Sequence, residues 1–293
     1  MVDVEHTPKL KEVVVEGEIM FDNLKTNCTL DPRTFDAHWL FIKGGKLTIG
    51  FDDKPYPCPL LITMWGKRYD PEVPLYGNKV IGLRYGTIDI HGIPRNPTWI
   101  DMESTANVGA KTITLSGPVD WKINEQIVIA TTSYDQDESE IRTITKIDRK
   151  NPNKPVITLC KALKYKHFSG VQTLPCGTQV EMRAEVGLLE RNIVIQGDPS
   201  SDADENGAII VAKSIGDDSS IVRIENVRFQ RMGQAYKVGR YPINIAVEGS
   251  VAQSYIYGNV FLRSYNRAIA MTSAQELEIR KNVIYDVSGH AIF

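Results

Sequence analysis

An excess of charge of either sign is missing from this chain: 34 Lys and Arg face 36 Asp and Glu, a net charge of −2 at pH 7. That excludes a general binder of nucleic acid or of anionic membrane surfaces, which needs a basic field. Long apolar runs are missing too, and none nears the ~20 residues of a membrane helix. The opening MVDVEHTPKLKEVVV lacks the basic-then-apolar pattern of a leader, and the closing GHAIF stops inside what reads as a strand. The expectation is a piece of a longer protein, with no direct membrane insertion by this segment. Cysteine is scarce, and Cys28, Cys58, Cys160 and Cys176 show no C-x-x-C spacing, which argues against a zinc site. Cys160 and Cys176 bracket a polar loop that a disulfide can close, and Cys28 with Cys58 forms a second candidate pair. Buried free thiols are the alternative. Asn27-Cys28-Thr29 is a glycosylation acceptor, whereas Pro97 excludes Asn96-Pro97-Thr98. Ser-His-Asp and Cys-His nucleophile arrangements, phosphate loops and dinucleotide fingerprints are all absent.

Helical periodicity is nearly absent as well. In its place short runs rich in Val, Ile and Thr recur between glycines: EVVVEGEI, HWLFIKGGKLTIG, PLLITMWG, KVIGLRYGTIDIHG, EQIVIATT, PVITL. Strands at this spacing with Gly and Pro turns indicate an all-β sandwich, barrel or solenoid. A repeat then separates these options. Asn259-Val260-Phe261 recurs 23 residues later as Asn282-Val283-Ile284, and Ala268-Ile269-Ala270 matches Ala291-Ile292-Phe293 at the same offset. An earlier copy, Asn226-Val227-Arg228-Phe229, precedes the first by 33 residues, the insert QAYKVGRYPI making up the difference. Coils of this length, each with an inward Asn at a turn, suit a right-handed parallel β-helix in which asparagines hydrogen-bond to one another along the axis. A β-sandwich with fortuitous Asn-Val dipeptides is the alternative.

Two phrases carry a family likeness: RAEVGLLERNIVIQG from Arg183 to Gly197 and MGQAYKVGRYPINIAVEG from Met232 to Gly249. They resemble the signature shared by fibrocystin-like receptors and the hyaluronan-binding, cell-migration-inducing proteins. Upstream, Gly17, Gly44-Gly45-Lys46-Leu47, Gly66, Gly77, Gly82, Gly86-Thr87-Ile88-Asp89-Ile90-His91-Gly92, Trp99 and Trp121 resemble that family's eight-glycine domain. The resemblance implies an eight-glycine β domain over residues 1–150, connecting strands over 151–182, and a parallel β-helix over 183–293, stacked as one β structure.

In those relatives the second phrase reads PIHFH, two histidines facing one way along a strand. Here it is Pro242-Ile243-Asn244-Ile245-Ala246. Asn244 can still hydrogen-bond, but alanine can neither move a proton nor bind a metal. His290 matches a later Gly-His phrase of the family. The acidic loop Tyr134 to Glu140 offers Asp135 and Glu140 as a carboxylate pair of the kind glycoside hydrolysis uses. Relatives that act on hyaluronan place an acid directly before the tyrosine, where this chain has Ser133. Asp135, Glu140 and His290 are the catalytic candidates, against a solvated charge run and a structural histidine.

Asp202-Ala203-Asp204-Glu205-Asn206-Gly207 fits the first half of an oxygen-rich calcium loop. The closing position of an EF-hand would be Lys213, and the flanks read as strands. The candidate is therefore a β-hairpin calcium site held by Asp202, Asp204 and Asn206, against an unliganded polar turn. Tyr241 and Arg240, beside Asn244 in the inserted loop, form a candidate platform for an acidic polysaccharide through stacking and bidentate carboxylate contacts. Arg183 and Glu185 are read as an internal ion pair or a cap on the solenoid. These readings favour a non-catalytic extracellular ligand-binding or adhesion module of a fibrocystin-like cell-surface protein. Its partner would be an acidic polysaccharide or an extracellular protein. A hyaluronan-type polysaccharide hydrolase and a rigid spacer are the alternatives.

Overall fold

The computed structural model describes residues 1–21, 28 and 32–293, so the acceptor asparagine Asn27 and its Thr29 lie outside the described residues. The chain forms two compact units, residues 1–94 with 191–293 and residues 95–190.

The first unit is a parallel β-helix with three ladders. Arg33–Lys43, Leu60–Met64, Ile193–Gly197, Val227–Met232, Val260–Ser264 and Val283–Val287 make the first ladder. The second comprises Leu10–Val15, the far half of Arg33–Lys43, Val80–Arg84, Ile209–Ile215, Ile243–Ser250 and Ile269–Met271. Glu18–Met20, Lys46–Ile49, Thr87–His91, Ile221–Glu225, Tyr255–Tyr257 and Glu278–Arg280 form the third. All of these pairings are parallel. Alternation sets which side chains point in: Leu47, Ile49, Ile88, Ile90, Val222, Ile224 and Ile256 fill one wall of the core. Phe229 and Phe261 stack inside with ring centroids 4.9 Å apart. Each such side chain contributes roughly 1.5–3 kcal/mol on burial.

Two corners explain the sequence signals. At the entry to the third ladder Gly17, Gly45 and Gly86 lie in file. A Cβ on Gly45 would fall 2.4 Å from the Gly17 carbonyl oxygen, and one on Gly86 2.3 Å from that of Gly45, so only glycine fits. At the exit from the third ladder stand Asn192, Asn226, Asn259 and Asn282. At Asn192, Asn259 and Asn282 the expected bonds between asparagine side chains are replaced by bonds from side chain to backbone. Asn259 Oδ1 accepts from Val227 N at 2.9 Å while its Nδ2 donates to Ile224 O at 3.0 Å. Asn282 repeats this on Asn259 N and Ile256 O, both at 2.9 Å. Asn192, absent from the repeat read in the sequence, does the same with Ile93 N and Tyr56 O.

The second unit is antiparallel. Its six-stranded sheet runs Trp99–Asp101, Glu185–Leu188, Gln126–Ile129, Glu140–Asp148, Val156–Leu159, Thr112–Thr114. A bridge between Met102 and Leu115 joins the two ends and closes the sheet on itself. Trp121, Ile127, Ile129, Ile144, Ile157 and Val186 fill its interior. The expected boundaries at 150 and 183 therefore do not coincide with the structural ones. Parallel coils begin near the N-terminus, and the antiparallel unit interrupts them between Thr87–His91 and Ile193–Gly197. Coil length varies with surface loops, so no fixed period marks the early coils.

Cys28 and Cys58 are disulfide-bonded. Cys160 and Cys176 are free and exposed, which corrects both the expected bridge and the buried-thiol alternative. Arg183 pairs with Glu181 at 2.6 Å and donates to the Met102 and Glu103 carbonyls, so the expected pair with Glu185 does not form.

Candidate functional site

The outer side of the second ladder carries a recess. Register sets Glu12 beside Trp39 there. Trp65, directly after Leu60–Met64, donates its indole N–H to Asp36 Oδ1 at 2.6 Å, which fixes the ring. Residues 66–79 then fold across this side. Tyr76 meets Phe41 edge-on at 4.8 Å, and with Val80, Ile209 and Val211 it makes a small apolar cluster under the loop. The result is a cavity of about 340 Å³ lined by Trp39, Trp65, Lys11, Glu12, His38 and Asp70, with Asn78 and Lys79 beneath.

Lys79 is fully buried, and its ammonium sits 3.0 Å from Asp198 Oδ2 and 2.7 Å from Ser201 Oγ. Burial pushes the Lys79 pKa down, against the pull of Asp198. Burial also works to raise that of Asp198, but hydrogen bonds from Ser200 and Lys79 outweigh it and hold the carboxyl below its usual range. Lys9 places its ammonium 3.4 Å from the Trp65 ring centre, so cations flank the aromatic wall. Two indoles with charged and amide groups around a recess can stack on a sugar ring and bond its hydroxyl or carboxylate groups.

The residues expected from the sequence are placed elsewhere or engaged otherwise. Tyr241 is 6% exposed and hydrogen-bonded to Arg267, which leaves no ring face for a sugar. Arg240 donates to the Tyr76 and Leu75 carbonyls at 2.6 and 3.2 Å and pairs with Glu72, so it clamps residues 72–77. Asn244 does face outward from its strand, yet it is covered, its Nδ2 bonded to Gly239 O at 2.9 Å. None of the three is free to form the platform, because the loops that cover this strand consume them.

Among the catalytic candidates, Asp135 is an exposed cap whose carboxylate accepts from Asp137 N at 2.9 Å. Glu140 is buried and accepts from the backbone N–H groups of Lys164 and Tyr165, from Arg142, and from His167 Nε2 at 3.2 Å. Burial would raise its pKa, but these donors prevail and hold it low, which suits an ionised anchor and not a proton donor. His290 is exposed in the other compact unit, its ring 5.5 Å from Phe293. His167, overlooked in the sequence, spans Ala130 O and Glu140 inside the antiparallel unit.

The calcium reading is corrected. Ser201–Asp204 is a helical turn, not a hairpin tip. Asp202 gives one oxygen to Arg231 Nε at 2.8 Å and the other to the Tyr265 hydroxyl at 2.7 Å, while Asp204 caps Asn206 N at 3.1 Å. Asn206 is wholly buried. With its carboxylates committed to different partners, the turn does not converge on a cation.

The family-model matches fit this architecture. Residues 1–103 match the G8 domain model and residues 206–293 the CEMIP beta-helix model. This is a fibrocystin-like chain. It is 35% identical to Fibrocystin-L of Mus musculus and 32% identical to Fibrocystin-L of Homo sapiens, each over 98% of this chain. It spans only 7% of the length of either relative. Among solved structures, the tailspike protein gp49 of Pseudomonas phage LKA1 aligns with 79% of this fibrocystin-like chain and 36% of its own, at 14% identity and a TM-score of 0.26. The G8 match ends near the start of the antiparallel unit, and the CEMIP match lies wholly within the later coils.

Proposed function

We propose that this fibrocystin-like segment is a non-catalytic, extracellular ligand-binding module of a cell-surface protein, and that its ligand is an acidic polysaccharide. The observation that carries the reading is the recess walled by Trp39 and Trp65 with Lys9 and Lys11 beside it. The alignment of cations with indole faces suits a sugar bearing a carboxylate or sulfate. Asn244 and Ala246 in place of paired histidines, together with the committed Glu140, support the non-catalytic part.

Titration of the chain with size-defined hyaluronan and heparin oligosaccharides tests it. Trp65→Ala should weaken binding at least tenfold. The exposed-site variant Lys11→Glu, which leaves the fold alone, should weaken it severalfold. Binding indifferent to both changes would sink the site. Hyaluronan that shortens on incubation, and stays intact with Asp135→Asn or Glu140→Gln, would replace the module with a hydrolase. Absence of all binding would leave the spacer reading.

A further inference from the structure

The third ladder places a histidine and two carboxylates together on its outer side, away from the indole recess. Register sets His91 of Thr87–His91 directly beside Glu225 of Ile221–Glu225, across 134 residues of sequence. His91 is 2% exposed and Glu225 is half-buried at its Nδ1, 3.3 Å away. Asp52, exposed in the turn after Lys46–Ile49, completes the group, with one ligand atom from each residue within 4.8 Å of the others. Among the described residues no other such group of His, Cys, Asp and Glu is found.

We propose that His91 Nδ1, Glu225 and Asp52 form a binding site for a divalent cation of the zinc type. Zinc bonds to nitrogen and oxygen are about 2.0–2.2 Å, so two tetrahedral ligand atoms stand about 3.3–3.5 Å apart. His91 and Glu225 already have that spacing, and only the exposed Asp52 must move, by at most about 1.5 Å on that same geometry. The ring is aimed by its other nitrogen: His91 Nε2 lies 2.8 Å from Asp89 Oδ1, and Asp89 Oδ2 is held by Lys46 Nζ at 2.9 Å. A carboxylate behind the imidazole is the usual outer partner of a metal-bound histidine, fixing its tautomer and rotation. Charge agrees. Between Asp89 and Glu225 the free ring holds its second proton, and a cation at Nδ1 displaces it; Asp52, Asp89 and Glu225 against Lys46 then leave two negative charges, which one divalent cation balances. Arg223, on the same strand as Glu225, is turned away and bonds Gln253. The imidazole selects against calcium, which prefers six to eight oxygens. With three protein ligands the fourth position faces solvent beside Asp52, open to water or to an anionic group.

Isothermal titration of the full chain, stripped with EDTA and carrying Cys160→Ser and Cys176→Ser to remove competing thiols, tests this. The expected result is one equivalent of Zn²⁺ bound, a raised melting temperature, and a Co²⁺ spectrum of nitrogen–oxygen ligation. Asp52→Asn, a surface change that spares the fold, and Glu225→Gln should each weaken zinc at least tenfold. Lack of stoichiometric zinc binding, variants that bind like the parent, or a preference for Ca²⁺ over Zn²⁺ would each overturn the assignment. Oligosaccharide binding that persists with zinc removed would leave the indole recess untouched, so the two readings fail separately.

Discussion

Replacing Asn259 by alanine isolates the role of the asparagine corner. Its side chain is fully buried and bridges two backbone groups, Val227 N–H and Ile224 C=O. Removal strands both where water cannot reach. Each orphaned group costs about 1–3 kcal/mol, so the change should destabilise the solenoid by about 2–6 kcal/mol. That is a large share of the ~5–15 kcal/mol by which a domain is usually stable. Asn282 makes the same two bonds one coil later but is partly exposed, so water can replace them and Asn282→Ala should cost about 1 kcal/mol. Urea unfolding gives the totals, and hydrogen exchange on peptides covering 224–262 locates them in the solenoid and not in the antiparallel unit. An Asn259→Ala chain within about 0.5 kcal/mol of the parent would refute the reasoning, since a neutral polar bridge is worth more than that when buried. Equal costs at Asn259 and Asn282 would refute the burial argument in particular.

Two further outcomes follow. Glu140 has a depressed pKa in the folded state, so its contribution is present above the ordinary carboxylate pKa near 4.5 and is lost as pH falls below it. Glu140→Gln should therefore flatten the acid limb of the antiparallel unit's melting curve while lowering its plateau; a parallel acid limb would contradict this. Under non-reducing conditions an alkylating reagent should label Cys160 and Cys176 and spare Cys28 and Cys58, read by peptide mass spectrometry. A Cys160–Cys176 crosslink in the native chain would contradict the structure.

Much of the fold was legible in the sequence. Asn259 and Asn282 mark one corner because its geometry needs an amide that both donates and accepts, and the 23-residue offset is one of the ladder's own register steps, Val260 to Val283. The early coils were hidden because their spacing is irregular. Arg33 pairs with Leu60 and Leu60 with Ile193, so the period is broken by the antiparallel unit. Gly17, Gly45 and Gly86, read as part of an eight-glycine domain over residues 1–150, line one corner of the same β-helix. The indole recess was illegible for a different reason. Trp39 and Trp65 look like members of apolar runs, and only register and the crossing of residues 66–79 expose them. Tyr241 and Arg240 misled because an arginine near a tyrosine reads alike whether it meets a ligand or its own backbone. The pairing of His91 with Glu225 has no local signature at all.

The junction of Leu60–Met64 with Ile193–Gly197 bears on how the chain assembles. These strands must meet across the antiparallel unit before the later coils can add to the earlier ones. That unit's first and last strands, Trp99–Asp101 and Glu185–Leu188, are paired neighbours, and Leu188 N bonds Thr98 O at 2.9 Å. Once it has folded, the loop to be closed shrinks from about 130 residues to about 40, which lowers the entropic cost by about 1 kcal/mol. The unit thus acts as an internal clasp on the folding pathway. Loosening it should slow formation of the solenoid even when every solenoid contact is left intact.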